Sequence, residues 1–128
     1  MIIFVDENDA RPIYRQVADE IRALIARGEL AAGVMLPPVR QLAANLGVNL
    51  NTIAAAYREL QGEGLITVRH GSGATIAART AGPARSDEEL AKPLRTALTQ
   101  LTLAGRSQAD ILLLVTQELS SLFTRTEG

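Results

Sequence analysis

The chain carries one imidazole, His70, at the head of the stretch His70-Gly71-Ser72-Gly73. A hydrolytic triad would need a carboxylate to orient that ring and a hydroxyl for it to activate, and no acid lies near it in sequence. The glycines suit a phosphate loop, but no lysine follows, and a β-branched run rather than a helix comes next. The absence of cysteine excludes disulfides, zinc ribbons and thiol chemistry, and one histidine argues against a His-rich metal site within one chain. The acidic groups Asp19-Glu20 and Asp87-Glu88-Glu89 read most simply as solvated helix faces and caps. The aromatics Phe4, Tyr14, Tyr57 and Phe123 are too few to line a sugar-binding or base-stacking groove. Neither an enzymatic activity nor a cofactor is expected.

Recognition chemistry is better represented. Asn51 could pair with adenine, Ala54 or Ala55 could touch a thymine methyl, and Arg58 could reach a phosphate. Asn49 and Asn51 have a plainer reading as the cap and first turn of a helix. Net charge opposes a nucleic-acid partner, since 13 Lys+Arg against 14 Asp+Glu leave −1. The distribution softens that objection. Between residues 36 and 79, Arg40, Arg58, Arg69 and Arg79, with His70, outnumber Glu59 and Glu63, whereas both flanking segments are net acidic. Any anionic partner would be met by this middle third.

The elements that must hold these residues follow from spacing. A length of 128 residues predicts one domain, or a small domain with an appendage. Pro12 to Arg27 predicts an amphipathic helix with Ile13, Val17, Ile21, Leu24 and Ile25 on one face, Pro12 in its first turn and Gly28 as its stop. A second helix is expected from Pro38 to Asn45, with Val39, Leu42, Ala43 and Leu46 inward and Gly47 ending it. A third starts at Asn49, buries Ile53, Ala56, Tyr57 and Leu60, and stops at Gly62 or Gly64. Leu65 to Arg69 and Ala74 to Ala77, around the glycine turn, predict a hairpin. Two helices joined by a tight turn at Gly47-Val48 would present the third helix to a major groove, its first residues at base edges.

Arg79 to Arg85 breaks every pattern and reads as a linker. Beyond it, Ser86 to Glu89 is a capping box that leads into Leu90, Leu94, Ala97, Leu98 and Leu101, with Gly105 as the stop. Ser107 to Asp110 is expected to be the weaker box, because Asp reaches back less well than Glu. The helix it starts carries Ile111 to Val115, Leu119, Leu122 and Phe123, more apolar surface than two helices can bury alone. That longest aliphatic run is far short of the roughly 20 residues of a membrane span. The N-terminus lacks a basic leader region, so a cytoplasmic location is expected.

From Pro12 to Ala77 the sequence resembles the GntR transcription regulators. The resemblance rests on Pro12-Ile13-Tyr14-Arg15-Gln16-Val17, Gly28 to Gly33, Leu36-Pro37-Pro38-Val39-Arg40-Gln41-Leu42-Ala43, Leu46 to Ile53, Ala56-Tyr57-Arg58-Glu59-Leu60, Glu63-Gly64-Leu65, Gly71 and Gly73. The short two-helix tail and the Asn-Leu-Asn-Thr start of the third helix resemble the YtrA subfamily, whose members dimerise through the tail and often regulate transporter operons. The resemblance implies a mainly α fold with a small β-hairpin wing: a winged helix-turn-helix domain over 1–78, a linker over 79–85 and a helical dimerisation tail over 86–128. Its DNA contacts map onto Arg40, Asn51, Thr52, His70 and Gly71; Asn49 and Arg58 join them from the reading of the helix itself. The tail residues expected at a dimer interface are Leu94, Leu98, Leu101, Ile111, Leu114, Val115, Leu119 and Leu122. Three departures stand out: Pro38 replaces a capping serine, while Leu50 and Ala54 occupy slots where many members carry arginine.

The expected function is a DNA-binding regulator, in the sense of a repressor, acting as a homodimer on a pseudo-palindromic operator in double-stranded DNA. Two alternatives stay open: a winged-helix module that binds protein, which the −1 charge favours slightly, and a small-ligand sensor with an apolar pocket between paired tails.

Overall fold

Ile13, Val17, Ile21, Leu24 and Ile25 build one face of α1 (Ile13–Ala26), with all but Ile13 fully buried. The computed structural model describes residues 3–69, 73–78 and 86–123, and the chain divides into two units, Met1–Arg79 and Thr80–Gly128. In the first, α1 is followed by β1 (Met35–Leu36), α2 (Val39–Leu46), α3 (Leu50–Gly62), β2 (Ile66–Arg69) and β3 (Gly73–Ile76). The second holds α4 (Asp87–Leu103) and α5 (Gln108–Phe123).

The core of the first unit forms where α1 and α2 pack on α3 and the sheet closes beneath. Val17 and Ile21, Leu42, Ile53, Tyr57 and Leu60, and Ile66 and Ile76 meet there. Ile3 joins them from the N-terminal segment, which is tied down by the buried side chain of Gln16. Its Oε1 accepts the Asp6 N–H at 2.8 Å, and its Nε2 donates to the carbonyls of Asp6 at 2.9 Å and Arg11 at 3.0 Å. Every polar atom of that amide is thereby used, which is what lets it sit in an apolar interior.

The sheet departs from the expected two-stranded hairpin. It has three antiparallel strands in the order β1-β3-β2, with Met35 opposite Thr75, Leu36 opposite Ala74, and Val68 opposite Ala74 from the other side. A two-residue strand flanked by Pro37-Pro38 shows no alternation, so periodicity could not reveal it. Its end makes a corner on which the unit is built. Gly73 has φ +81°, a conformation that favours glycine, and a Cβ there would lie in van der Waals contact with the Leu36 carbonyl oxygen at 3.4 Å and the Pro38 nitrogen at 3.7 Å. From the other side the Tyr57 hydroxyl donates to the Pro37 carbonyl at 2.6 Å.

The burial of that hydroxyl gives a measurable signature. Burial pushes the Tyr57 phenol from its ordinary value of 10 up to about 12. Folding therefore favours the protonated form: the contribution is fully present below pH 10 and is lost between pH 10 and 12 as the unfolded chain ionises first. Urea unfolding should show Tyr57→Phe losing about 1 kcal/mol at pH 7. The variant should also lack roughly 2 kcal/mol of the wild-type decline between pH 10 and 12.

Helix ends correct several expectations. Pro12 and Pro38 are N-caps outside their helices, so α1 and α2 begin at Ile13 and Val39. The stops at Gly28, Gly47, Gly64 and Gly105 share one pattern, in which the following residue donates back across the turn: Glu29 to Leu24, Val48 to Ala43, Leu65 to Leu60 and Arg106 to Leu101. Gly64, not Gly62, closes α3.

In the second unit the two capping boxes reverse their expected ranking. Ser107 Oγ accepts the Asp110 N–H and Asp110 Oδ2 accepts the Ser107 N–H, both at 3.1 Å, and that bonding holds the Asp110 carboxyl below its usual range. At Ser86 only the forward bond from the Glu89 N–H, 3.2 Å, is made among the described residues. Pro93 lies inside α4 and withholds one helix bond. No residue of α4 or α5 is fully buried. Leu98, Leu101, Ile111, Val115 and Leu122 are half-buried where the helices meet, whereas Leu94, Leu114 and Leu119 are exposed with Leu90, Leu112, Leu113 and Phe123.

Candidate nucleic-acid interface

The two helices that carry most of the candidate residues are fixed by the turn between them. Gly47 adopts φ 68°, ψ 34°, its N–H donates to Ala44 at 3.3 Å, and the Val48 N–H reaches Ala43 at 3.0 Å. The chain reverses within Gly47-Val48-Asn49 and enters α3 at Leu50. Asn49 is the cap: its side-chain oxygen accepts the Asn51 N–H at 2.7 Å. That leaves the Asn51 side chain exposed and without a hydrogen-bond partner among the described residues. Because Ile53, Ala56, Tyr57 and Leu60 face inward, the opposite face presents Asn51, Ala55 and Arg58 in successive turns. Asn51 and Arg58 are exposed, and Thr52, Ala54 and Ala55 are half-buried.

Arg40 stands in the first turn of α2, exposed. Pro38 supplies no capping side chain there, so the positive helix end is open beside the guanidinium, a combination that suits a phosphate oxygen. The Leu36–Pro38 corner holds this turn against both Tyr57 of α3 and Gly73 of β3. One junction thus sets Arg40, the face of α3 and the wing relative to each other. His70 and Gly71 lie outside the described residues.

Ion pairing sorts the arginines of the first unit into two groups. Arg11 binds Asp9 and Asp19, Arg15 lies 3.5 Å from Glu59, and Arg27 pairs with Glu29 at 3.3 Å. Arg22 grips Asp19 at 2.7 Å and reaches across to Glu59 of α3 and to Glu63 at its C-cap. These networks lie along α1. By contrast, Arg40 on α2, Arg58 on α3 and Arg69 on β2 make no ion pair among the described residues and are exposed. Arg69, at the tip of the described part of the wing, was missed by sequence reasoning; its place at the end of a strand, opposite Gly73, was the available signal. The net charge of −1 therefore conceals a surface of one sign.

An exposed α3 turned tightly out of α2, with a short sheet beside it, defines a winged helix-turn-helix transcription regulator. Residues 13–76, half of the chain, match the bacterial regulatory proteins of the gntR family, and the chain belongs to that family. The HTH-type transcriptional regulator YhcF of Bacillus subtilis, itself uncharacterized, is 34% identical over 121 residues that cover 93% of each chain. Among solved structures, a transcriptional antiterminator from Listeria monocytogenes superposes with TM-score 0.82 at 26% identity, covering 95% of this chain and 92% of that one. YtrA from Sulfolobus acidocaldarius, a GntR-family transcription factor, gives 0.63 at 37% identity over 77% of this chain and 99% of its own; this chain is YtrA-like. AraR(DBD) in complex with operator ORX1 matches 60% of this chain and 96% of that one, with TM-score 0.53 and 26% identity.

Proposed function

We propose that the chain is a repressor that binds a pseudo-palindromic operator in double-stranded DNA as a homodimer joined through residues 86–128. The observation that carries this reading is the segregation of Arg40, Arg58 and Arg69 from the ion-paired arginines. Three guanidiniums without carboxylate partners among the described residues line the elements that a winged helix lays against a duplex. Asn51 pairs with a base, Arg40 holds a phosphate or guanine, Arg58 a phosphate, and Arg69 the backbone beside the wing; Asn49 caps the helix and Thr52 supports its first turn. His70 and Gly71 belong to the minor-groove side by resemblance alone. The complex that AraR(DBD) makes with an operator supports the same docking. By the kinship of the tail, the target is an operon encoding a transporter, and the protein acts in the cytoplasm.

Salt titration tests this reading. A dimer presenting six such arginines should lose duplex affinity steeply, with a slope of log K against log salt of about −5. A flat salt response would favour a groove that binds protein instead.

A further inference from the structure

One apolar side chain interrupts the polar surface just described. Leu50, the first residue of α3, is 41% exposed, next to the exposed Asn51 and one turn before Ala54 on the same side of the helix. The row Leu50, Ala54, Arg58 runs beside the row Asn51, Ala55, Arg58, so both lines of side chains lead from an uncharged head to a guanidinium. Leu50 therefore keeps about two-fifths of its surface in water, apolar area that a partner could cover. Arg58, two turns along the same row and free of carboxylates among the described residues, suits an anionic cover for Leu50. A duplex major groove satisfies both conditions, because its only apolar group at the base edges is the C5-methyl of thymine.

Resting on the regulatory reading above, we propose that Leu50, with Ala54, selects thymine by its methyl group beside the adenine that Asn51 reads. The operator half-site then has A·T pairs under the head of α3 and no guanine contact at that point. Leu50 is a specificity residue: it contributes little to non-specific binding, which the arginines govern.

The test starts with the full chain and a random duplex pool, from which bound sequences are selected. Binding to the selected duplex is then compared with the same duplex carrying uracil for thymine, for wild type, Leu50→Ala and Asn51→Ala, each checked for unchanged circular dichroism. The expected results are A·T enrichment under the helix head, about a fourfold loss in wild type for each contacted methyl removed, and a smaller loss in Leu50→Ala, where only the Ala54 contact remains. Asn51→Ala should bind more weakly yet keep the thymine-to-uracil ratio. Equal affinity of wild type for the two duplexes, guanine enrichment at those positions, or an undiminished ratio in Leu50→Ala overturns the assignment. A pool from which nothing is enriched overturns the regulatory reading itself.

Discussion

Leu114→Glu is expected to convert the protein to a monomer and to weaken operator binding by roughly 10²- to 10⁴-fold, the advantage gained when two linked heads engage two half-sites. The expectation follows from how α4 and α5 use their apolar residues. Leu98, Leu101, Ile111, Val115 and Leu122 are half-buried where the two helices touch, while Leu114 is 40% exposed and lies among Leu112, Leu113 and Leu119, which are more exposed still. Leucines exposed around much of the circumference of α5, in a helix pair with no fully buried residue, are what the proposed dimer would cover. A carboxylate at position 114 should enter that interface unpaired, while in a separated chain it stands in water, so the cost falls on association rather than folding. Light scattering should report a single chain, with helix content unchanged. Anisotropy on a one-half-site duplex should be indifferent to the substitution. A variant that remains dimeric would place the interface elsewhere in the molecule.

Arg40→Ala should reduce operator affinity by about tenfold or more per contact, since a charged hydrogen bond is worth about 1.5–3 kcal/mol. The salt slope should fall by roughly one for each phosphate contact removed, or about two per dimer. Arg40 is exposed and unpaired among the described residues, so stability and dimerisation should not change. Arg40→Lys separates the two roles open to this side chain. A point charge keeps a phosphate contact and its salt slope, whereas the bidentate grip on guanine needs the guanidinium plane. Restored affinity and salt slope in the lysine variant identify a phosphate; affinity that stays low, with base preference relaxed at one position, identifies guanine.

Much of the first unit was legible because helices announce themselves over many residues. Ile13 to Ile25 and Ile53 to Leu60 repeat at helical spacing, and each glycine stop ends the element expected of it. The features that escaped are short or depend on partners distant in sequence. β1 has two residues and owes its existence to pairing with β3. The burial of Gln16 depends on carbonyls at Asp6 and Arg11. The capping boxes of the tail were ranked by the reach of Glu over Asp, yet Asp110 closes its box because the Ser107 N–H lies within 3.1 Å of it. At the candidate interface, Asn51 and Arg58 could be named from helical spacing and Arg40 from the family resemblance, but the sequence could not tell which arginines were already neutralised. That required seeing Arg22 span from α1 to Glu59 and Glu63.

The Arg22 bridge has a consequence for how an encounter begins. Glu59 of α3 and Glu63 at its C-cap are both paired with Arg22 of α1, and every other acid of residues 1–79 lies in the N-terminal segment, on α1 or in the turn after it. The first unit is thus an electric dipole, its positive pole at Arg40, Arg58 and Arg69. In the field of a polyanion such a body experiences a torque before it experiences contact, and it arrives facing the right way. Orientation of this kind acts on the association rate far more than on the lifetime of the complex, so a nearly neutral protein can still find a duplex quickly.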